Sequence, residues 1–380
     1  MSLVFLGADF PPSRGGIQTV AFELPLALSQ AGVEVAVVTV SREGAEAFDA
    51  QCPYPVVRVP AGSKRQVAAN LAAGAAQATA QLHSPPRAIV ATKWFPEGLA
   101  ARKVWASARI PVALIAHGRE FRLHGGNPAK WLLQRYVLAG VRAGFAVSQW
   151  TAGQLVAAGV PAERVSVVHN GIRPEVYAEP KAVAELRAGL GLDDAPVLLT
   201  VGRLVERKGH AAVIRALPQV VAQLGPVSYV IAGSGPEESR LRAEVEALHL
   251  QERVRFAGAV ADEQLPDFYH LCDLFVMPTR ELRDDPVEGF GIVYLEANAA
   301  GKPVLATRCG GVADAVEDQV SGVLLEPGDE GALVEAIISL LGDPARLQQM
   351  GQAGLRRVRE RFTWDRIAQE FLEGLDRAGL

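Results

Sequence analysis

Short, continuously apolar runs rich in Val, Ile, Leu and Ala alternate along this chain with longer stretches of mixed, helix-forming residues. Seven runs fall in the first half: "LVFLG" (3–7), "VEVAVVTV" (33–40), "VVRVP" (56–60), "AIVAT" (88–92), "PVALIAHG" (111–118), "AGFAVS" (143–148) and "VSVVHNG" (165–171). Six follow: "VLLTVG" (197–202), "VSYVIAG" (227–233), "VRFAGAV" (254–260), "LFVMPT" (274–279), "KPVLAT" (302–307) and "GVLLEP" (322–327). Runs without polar alternation suit strands buried on both faces, so the pattern predicts α/β architecture with two open parallel sheets and helices between the strands. A polar, Pro- and Gly-marked segment, "RPEVYAEPKAVAELRAGLGLDDAP", reads as the link between them. In such sheets ligands bind beyond the C-terminal strand ends, and two domains facing one another would make a cleft.

Composition fits that picture: 380 residues, 49% hydrophobic and 21% charged, are an ordinary globular chain long enough for two domains. Cys52, Cys272 and Cys309 lie far apart and form neither a C-x-x-C pair nor a disulfide framework, which fits a reducing cytoplasm. The N-terminal run has no preceding basic residue and is broken by Asp9, Pro11 and Pro12, so a signal peptide is not expected. Charge is uneven. Residues 1–180 carry 17 Lys+Arg against 11 Asp+Glu, net +6, and residues 181–380 carry 21 against 31, net −10. The basic half could attract an anionic membrane surface or an acidic acceptor. No basic run is interleaved with aromatics, so nucleic acid is not an expected partner.

The chemistry concentrates at strand ends. "DDPVEGFGIVYLEANAAGKPV" (284–304) puts Glu288 before a Gly-Phe-Gly turn and Glu296 eight residues later. Gly291 can open a helix from Ile292 to Ala300, which Gly301 and Pro303 stop. The free N–H groups at that start favour an anion such as phosphate. Glu288 would stand just outside the anion site, and Glu296 about 7 Å further along the helix. A ligand with phosphate in its middle and hydroxyls on both sides suits the pair. Gly15 and Gly16 in "PPSRGGIQ" open another helix close to a ligand, and Arg203 and Lys208 in "VGRLVERKGH" can both reach one diphosphate. "GSGPEES" imitates a dinucleotide fingerprint, but Glu238 replaces the third glycine, and Pro236 is read as a helix start. His117 ends a strand. With His124 it lacks zinc spacing, and no D-x-D is present to hold a divalent ion on a nucleoside diphosphate.

"PPSRGGIQ", "HGRE", "VGRLVERKGH", "GSGPEESRLR" and "VEGFGIVYLEANAAGKPV" stand in this order over nearly the whole chain, and together they resemble the retaining family 4 glycosyltransferases of GT-B fold. The resemblance implies two Rossmann-like, doubly wound parallel-sheet domains facing a cleft. An acceptor-binding domain would span 1–175, a nucleotide-sugar domain 176–362, and a final helix, 363–380, would cross back to the first. It implies that Glu296 binds ribose hydroxyls and that Glu288 with the amides of Gly289, Phe290 and Gly291 holds the donor sugar, with Ile292 at the helix start. Arg203 and Lys208 would bind the diphosphate, Gly15 and Gly16 would approach phosphate or sugar, His117 would contact the sugar, and backbone near Val260 would read the base. The catalytic set so implied is His117, Glu288, Arg203 and Lys208, with no cofactor and no metal ion beyond the GDP- or UDP-linked donor.

"PVEGFGIVYLEA" and "CGGVADAV" look like bacterial mannosyltransferases that use GDP-mannose on phosphatidylinositol mannosides or related lipids, while users of UDP-sugars share the motifs. The acceptor would be lipid-linked or a saccharide. The expected location is the cytoplasm, with peripheral contact to the inner face of the cell membrane through the N-terminal domain. Two further readings stand beside the transferase: a GT-B epimerase or phosphorylase, and a catalytically silent nucleotide-binding protein.

Overall fold

The computed structural model describes all residues except 14, 122–126 and 283–286 and the side chain at 119; His124 and the start of the 284–304 stretch therefore lie outside the described residues. The chain divides into two compact units, Met1–Gly171 with Trp364–Leu380, and Ile172–Thr363.

In the first unit, strands β1 (Ser2–Gly7), β2 (Glu34–Val40), β3 (Val56–Val59), β4 (Ala88–Ala91), β5 (Val112–Ala116), β6 (Val141–Ala146) and β7 (Val165–Val167) form one sheet in the order β3-β2-β1-β4-β5-β6-β7. Every pairing is parallel. Val4, Leu6, Val38, Ile89 and Leu114 are fully out of water, as the unalternating runs require. Helix Trp364–Arg377 completes this unit: Phe371 lies against Phe145 and Phe5, with ring centroids 4.2 and 6.2 Å apart.

In the second unit, β8 (Val197–Val201), β9 (Ser228–Ala232), β10 (Val254–Gly258), β11 (Leu274–Met277), β12 (Val304–Thr307) and β13 (Gly322–Leu325) form a parallel sheet ordered β10-β9-β8-β11-β12-β13. All thirteen predicted runs are strands. Two local expectations fail. The polar "link" carries a helix, Val183–Gly189, and the backbone amides of Lys181 and Ala182 just before it donate to Asp267. Helix Glu238–Ala247 starts two residues after Pro236. The G-x-G there has a packing cause: a Cβ on Gly233 would stand 1.9 Å from the Gly202 carbonyl, so the glycine lets two loop backbones touch.

Each strand order reverses once beside the first strand of its sheet, between β1 and β4 and between β8 and β11. Those reversals are where a doubly wound sheet leaves a crevice at its C-terminal edge.

Candidate active site

The second unit's crevice is built on the loop after β8. Its backbone is tied down by Gly202 N–H to Ala232 O (2.9 Å) and Leu204 N–H to Ser234 O (3.0 Å), and His210 places Nε2 3.4 Å from the Arg203 carbonyl. On this fixed loop Arg203 is exposed and has no ion-pair partner among the described residues, whereas Lys208 is buried. Lys208 Nζ lies 2.6 Å from Glu288 Oε2, and Arg207 Nη1 lies 2.9 Å from the same oxygen. Burial pushes the Glu288 carboxyl upward, but Lys208 and Arg207 overcome it and hold the group down at about 2. Glu288 also offers its carbonyl to Gly311 N–H at 2.9 Å, which fixes the loop from behind.

Helix Ile292–Ala299 follows as the sequence predicts, one residue shorter. Gly291 precedes it at φ 90°, ψ 72°, and a Cβ there would stand 2.4 Å from the Tyr294 ring. Glycine is therefore required at this turn. The helix has no side-chain cap and no acidic residue in its first turn; the Tyr294 N–H turns back onto the Gly291 carbonyl at 3.0 Å, and among the described residues the Ile292 and Val293 N–H groups are left at the open end. Phe290 is buried against Phe362 at 6.0 Å between centroids, while Gly289 and Ile292 are partly exposed. Glu296, one turn along, accepts from the Tyr269 hydroxyl at 2.5 Å. Its pKa is raised by burial, with the hydroxyls of Tyr269 and Tyr177 opposing. Val260 is partly exposed, just beyond the end of β10.

In the first unit, Gly15 (φ 144°) is the uncapped N-terminus of helix Gly16–Gln30, and both glycines are exposed. His117 follows β5, nearly buried, with Nε2 3.0 Å from the Thr92 carbonyl. A carbonyl only accepts, so Nε2 carries the proton of the neutral ring and Nδ1 keeps a lone pair. Burial, and then Lys93, push His117 down to about 4, which keeps the ring neutral at pH 7.

Residues 14–176 match the family described as Glycosyltransferase Family 4, and residues 183–357 match Glycosyl transferases group 1. A protein of Mycobacterium tuberculosis named GDP-mannose-dependent alpha-(1-6)-phosphatidylinositol monomannoside mannosyltransferase is 31% identical, covering 97% of each chain. The chain belongs to glycosyltransferase family 4. A monoacylated-substrate counterpart from Corynebacterium glutamicum is 30% identical over 94% of this glycosyltransferase and 93% of its own length. The crystal structure of Anabaena HepE with UDP and glucose superimposes with a TM-score of 0.80 at 24% identity and 99% coverage of both chains, which establishes the GT-B fold.

Sequence reasoning about this glycosyltransferase passed over Arg207, the second cation on Glu288, because Arg203 and Lys208 already satisfied the pattern of a basic loop. It also passed over a buried charge network at the β1–β4 reversal. Lys93 pairs with Asp9, and its Nζ is 3.7 Å from Oε1 of Glu97, a side chain wholly removed from water. Glu97 Oε1 accepts the Ala8 N–H at 3.0 Å, and Glu120 Oε1 accepts the His117 N–H at 2.8 Å. The signal was present: "TKWFPEG" places Lys and Glu four apart directly after β4, and Glu120 stands three residues after His117.

Proposed function

We propose that this family 4 enzyme moves a hexose of mannose or glucose type from a nucleoside diphosphate sugar to a lipid-linked or saccharide acceptor. The bond formed is α-glycosidic, with retention and without a metal ion. The observation that carries this reading is the second unit's arrangement: an exposed Arg203, without an ion-pair partner among the described residues, and a Lys208–Arg207–Glu288 cluster on the loops flanking a helix start with no side-chain cap. On this reading Arg203 and Lys208 stabilise the charge that grows on the leaving diphosphate, a task otherwise given to a metal held by D-x-D. The amides of Gly289, Phe290, Gly291 and Ile292 with Glu288 hold sugar and phosphate, Glu296 takes the ribose hydroxyls, and backbone at Val260 takes the base. Gly15 and Gly16 serve the phosphate or sugar, and His117 serves a sugar hydroxyl through Nδ1.

Glu288 bears on stereochemistry. Retention through a covalent glycosyl-enzyme requires a carboxylate nucleophile. An oxygen that receives two cations at 2.6 and 2.9 Å has its electron density committed to them. That favours a front-face route, in which the acceptor hydroxyl attacks on the side the diphosphate leaves and a phosphate oxygen takes its proton. GDP-mannose is the favoured donor because relatives 31% and 30% identical over 97% and 94% of the chain carry that name. The test is incubation with GDP-mannose and UDP-glucose against a panel of glycolipids and saccharides with EDTA present, read by mass spectrometry and anomeric NMR. An α-linked product is expected; a β-linked product, a sugar ester trapped on Glu288, or strict dependence on added Mg²⁺ overturns the mechanism.

A further inference from the structure

The turn that carries Glu288 to Gly291 is supported from behind by two elements that come later in the sequence. One is the short helix Val312–Ala315. Its entry, Gly310 and Gly311, packs backbone to backbone on the turn. Gly311 N–H donates to the Glu288 carbonyl at 2.9 Å, and a Cβ on Gly310 would stand 2.3 Å from that same oxygen. The other support is Phe362, 2% exposed, whose ring meets that of the equally buried Phe290 at 6.0 Å between centroids. The Phe362 carbonyl accepts the Ile172 N–H at 2.7 Å, so its backbone is held as well.

One side chain reaches both supports. Arg357, on helix Pro344–Arg361, donates from Nη1 to the Ala315 carbonyl at 2.6 Å and from Nη2 to the Asp314 carbonyl at 2.7 Å, the last two residues of the short helix. Its guanidinium carbon lies over the Phe362 ring at 4.6 Å, and its Nε stands 3.1 Å from the Glu317 carboxylate. A planar fork can hold two carbonyls in its plane while its face covers a ring; a lysine offers a point charge on a flexible stem and cannot do both. The Arg357 side chain is only 12% exposed. Interiors packed this closely transmit displacements, because there are few voids to absorb them.

We infer that Arg357 is a positioning residue for the donor-sugar turn. It sets where Glu288 stands through Gly311, and where the Gly289–Phe290–Gly291 backbone stands through Phe362, without itself touching the donor. The inference rests on the reading above that Glu288 and the amides of this turn hold the sugar, while Arg203, Lys208, Glu296 and the backbone at Val260 hold the nucleotide. Loss of Arg357 should therefore cost recognition of the sugar and spare the nucleoside diphosphate.

The test is calorimetric titration of GDP against GDP-mannose, and of UDP against UDP-glucose, into the full chain as wild type, Arg357→Gln, Arg357→Lys, Phe362→Leu and Glu288→Gln. Binding stoichiometry reports the folded fraction, and melting temperatures and initial rates are measured alongside. For the donor that wild type binds, Arg357→Gln should weaken the nucleotide-sugar about fivefold or more, change the nucleoside diphosphate by less than about twofold, and lower turnover about tenfold or more, since a small misplacement of a positioned group can cost up to ~10²-fold. Arg357→Lys, which keeps the charge and loses the fork, should move the same ratio in the same direction, and it carries the test if Arg357→Gln does not fold. Phe362→Leu should shift that ratio too, and combine with Arg357→Gln less than additively, because residues that act as one unit couple. An arginine that serves the fold alone would lower melting temperature and stoichiometry with both affinities unchanged, and that result overturns the inference. If Glu288→Gln changes the sugar-to-nucleotide ratio and neither Arg357 variant does, the inference fails and the reading of the turn stands. If Glu288→Gln leaves the ratio unchanged, or wild type binds neither nucleotide-sugar, the reading of the turn fails and the inference falls with it.

Discussion

The two crevices differ in how they treat charge. In the second unit one carboxylate, Glu288, is fixed in its ionised form by two cations on the same oxygen, and a third cation, Arg203, stands exposed nearby in the same loop. In the first unit burial drives the groups toward neutrality: His117 down to about 4, Glu120 up to about 7 against its bond from the His117 N–H, and Glu97 upward despite Lys93. One edge is prepared for a ligand that brings negative charge. The other sets a neutral imidazole beside a Lys93–Asp9 pair that balances its own charge, which suits hydroxyls. Similar strand orders have been decorated for two different tasks, and the difference lies in loops of a few residues each.

The largest effect should come from breaking the charged side. Lys208→Ala leaves the half-buried Glu288 with Arg207 alone and removes the counter-charge proposed for the leaving group. Turnover should fall about 10²-fold or more, and, because Arg207 stays on the carboxylate, the loss of stability should be smaller than the ~3 kcal/mol of a buried charge left without a partner. Arg203→Ala separates the two terms, since Arg203 is exposed and has no ion-pair partner among the described residues: nucleotide affinity and turnover should fall with the melting temperature unchanged. Kinetics and calorimetry on both variants check this. If Lys208→Ala behaves like Arg203→Ala in both assays, the buried pair has no structural role.

A smaller, pH-dependent effect belongs to the first unit. Glu120 titrates near 7 when folded and near its ordinary 4.5 when unfolded. Between those values the folded protein binds more protons, so its stability falls as pH rises through the window, by up to roughly 3 kcal/mol from this group. His117 acts in the opposite sense. Held at about 4, it makes the folded chain bind fewer protons between 6.5 and 4, so stability falls as pH drops there. Subtracting the denaturation curve of Glu120→Gln from that of wild type cancels the histidine and isolates the carboxyl. Parallel curves from pH 4.5 to 8 would show that Glu120 titrates normally.

Much of this was legible in the sequence, for reasons that can be named. Fully buried parallel strands need unbroken apolar runs, so "VEVAVVTV" or "VLLTVG" admits few other readings, and Gly291 followed by Ile292 announced a helix start that the structure places there. Partnership was not legible. Glu288 and Lys208 are eighty residues apart and meet only because β8 and β11 are neighbours in the sheet. The same holds for Glu97 and Ala8, eighty-nine residues apart and joined by the β1–β4 pairing.

The smallest effect tests whether the neutral edge acts on the sugar and leaves the nucleotide alone. With Nε2 committed to the Thr92 carbonyl, the one interaction His117 can offer outward is acceptance at Nδ1 from a hydroxyl. A single neutral hydrogen bond contributes about 1 kcal/mol, so His117→Ala should lower turnover roughly five- to tenfold. Affinity for GDP or UDP should change by less than about twofold, because a nucleoside diphosphate lacks the sugar. A ring that stays neutral down to about pH 4 also predicts no acid limb from this residue in the rate profile above pH 5. A wild-type rate that halves near pH 6.5, with that limb absent in His117→Ala, would show the imidazole charging in the working range. The first unit's edge would then be a cationic site like the second, and the contrast between the two crevices would fail.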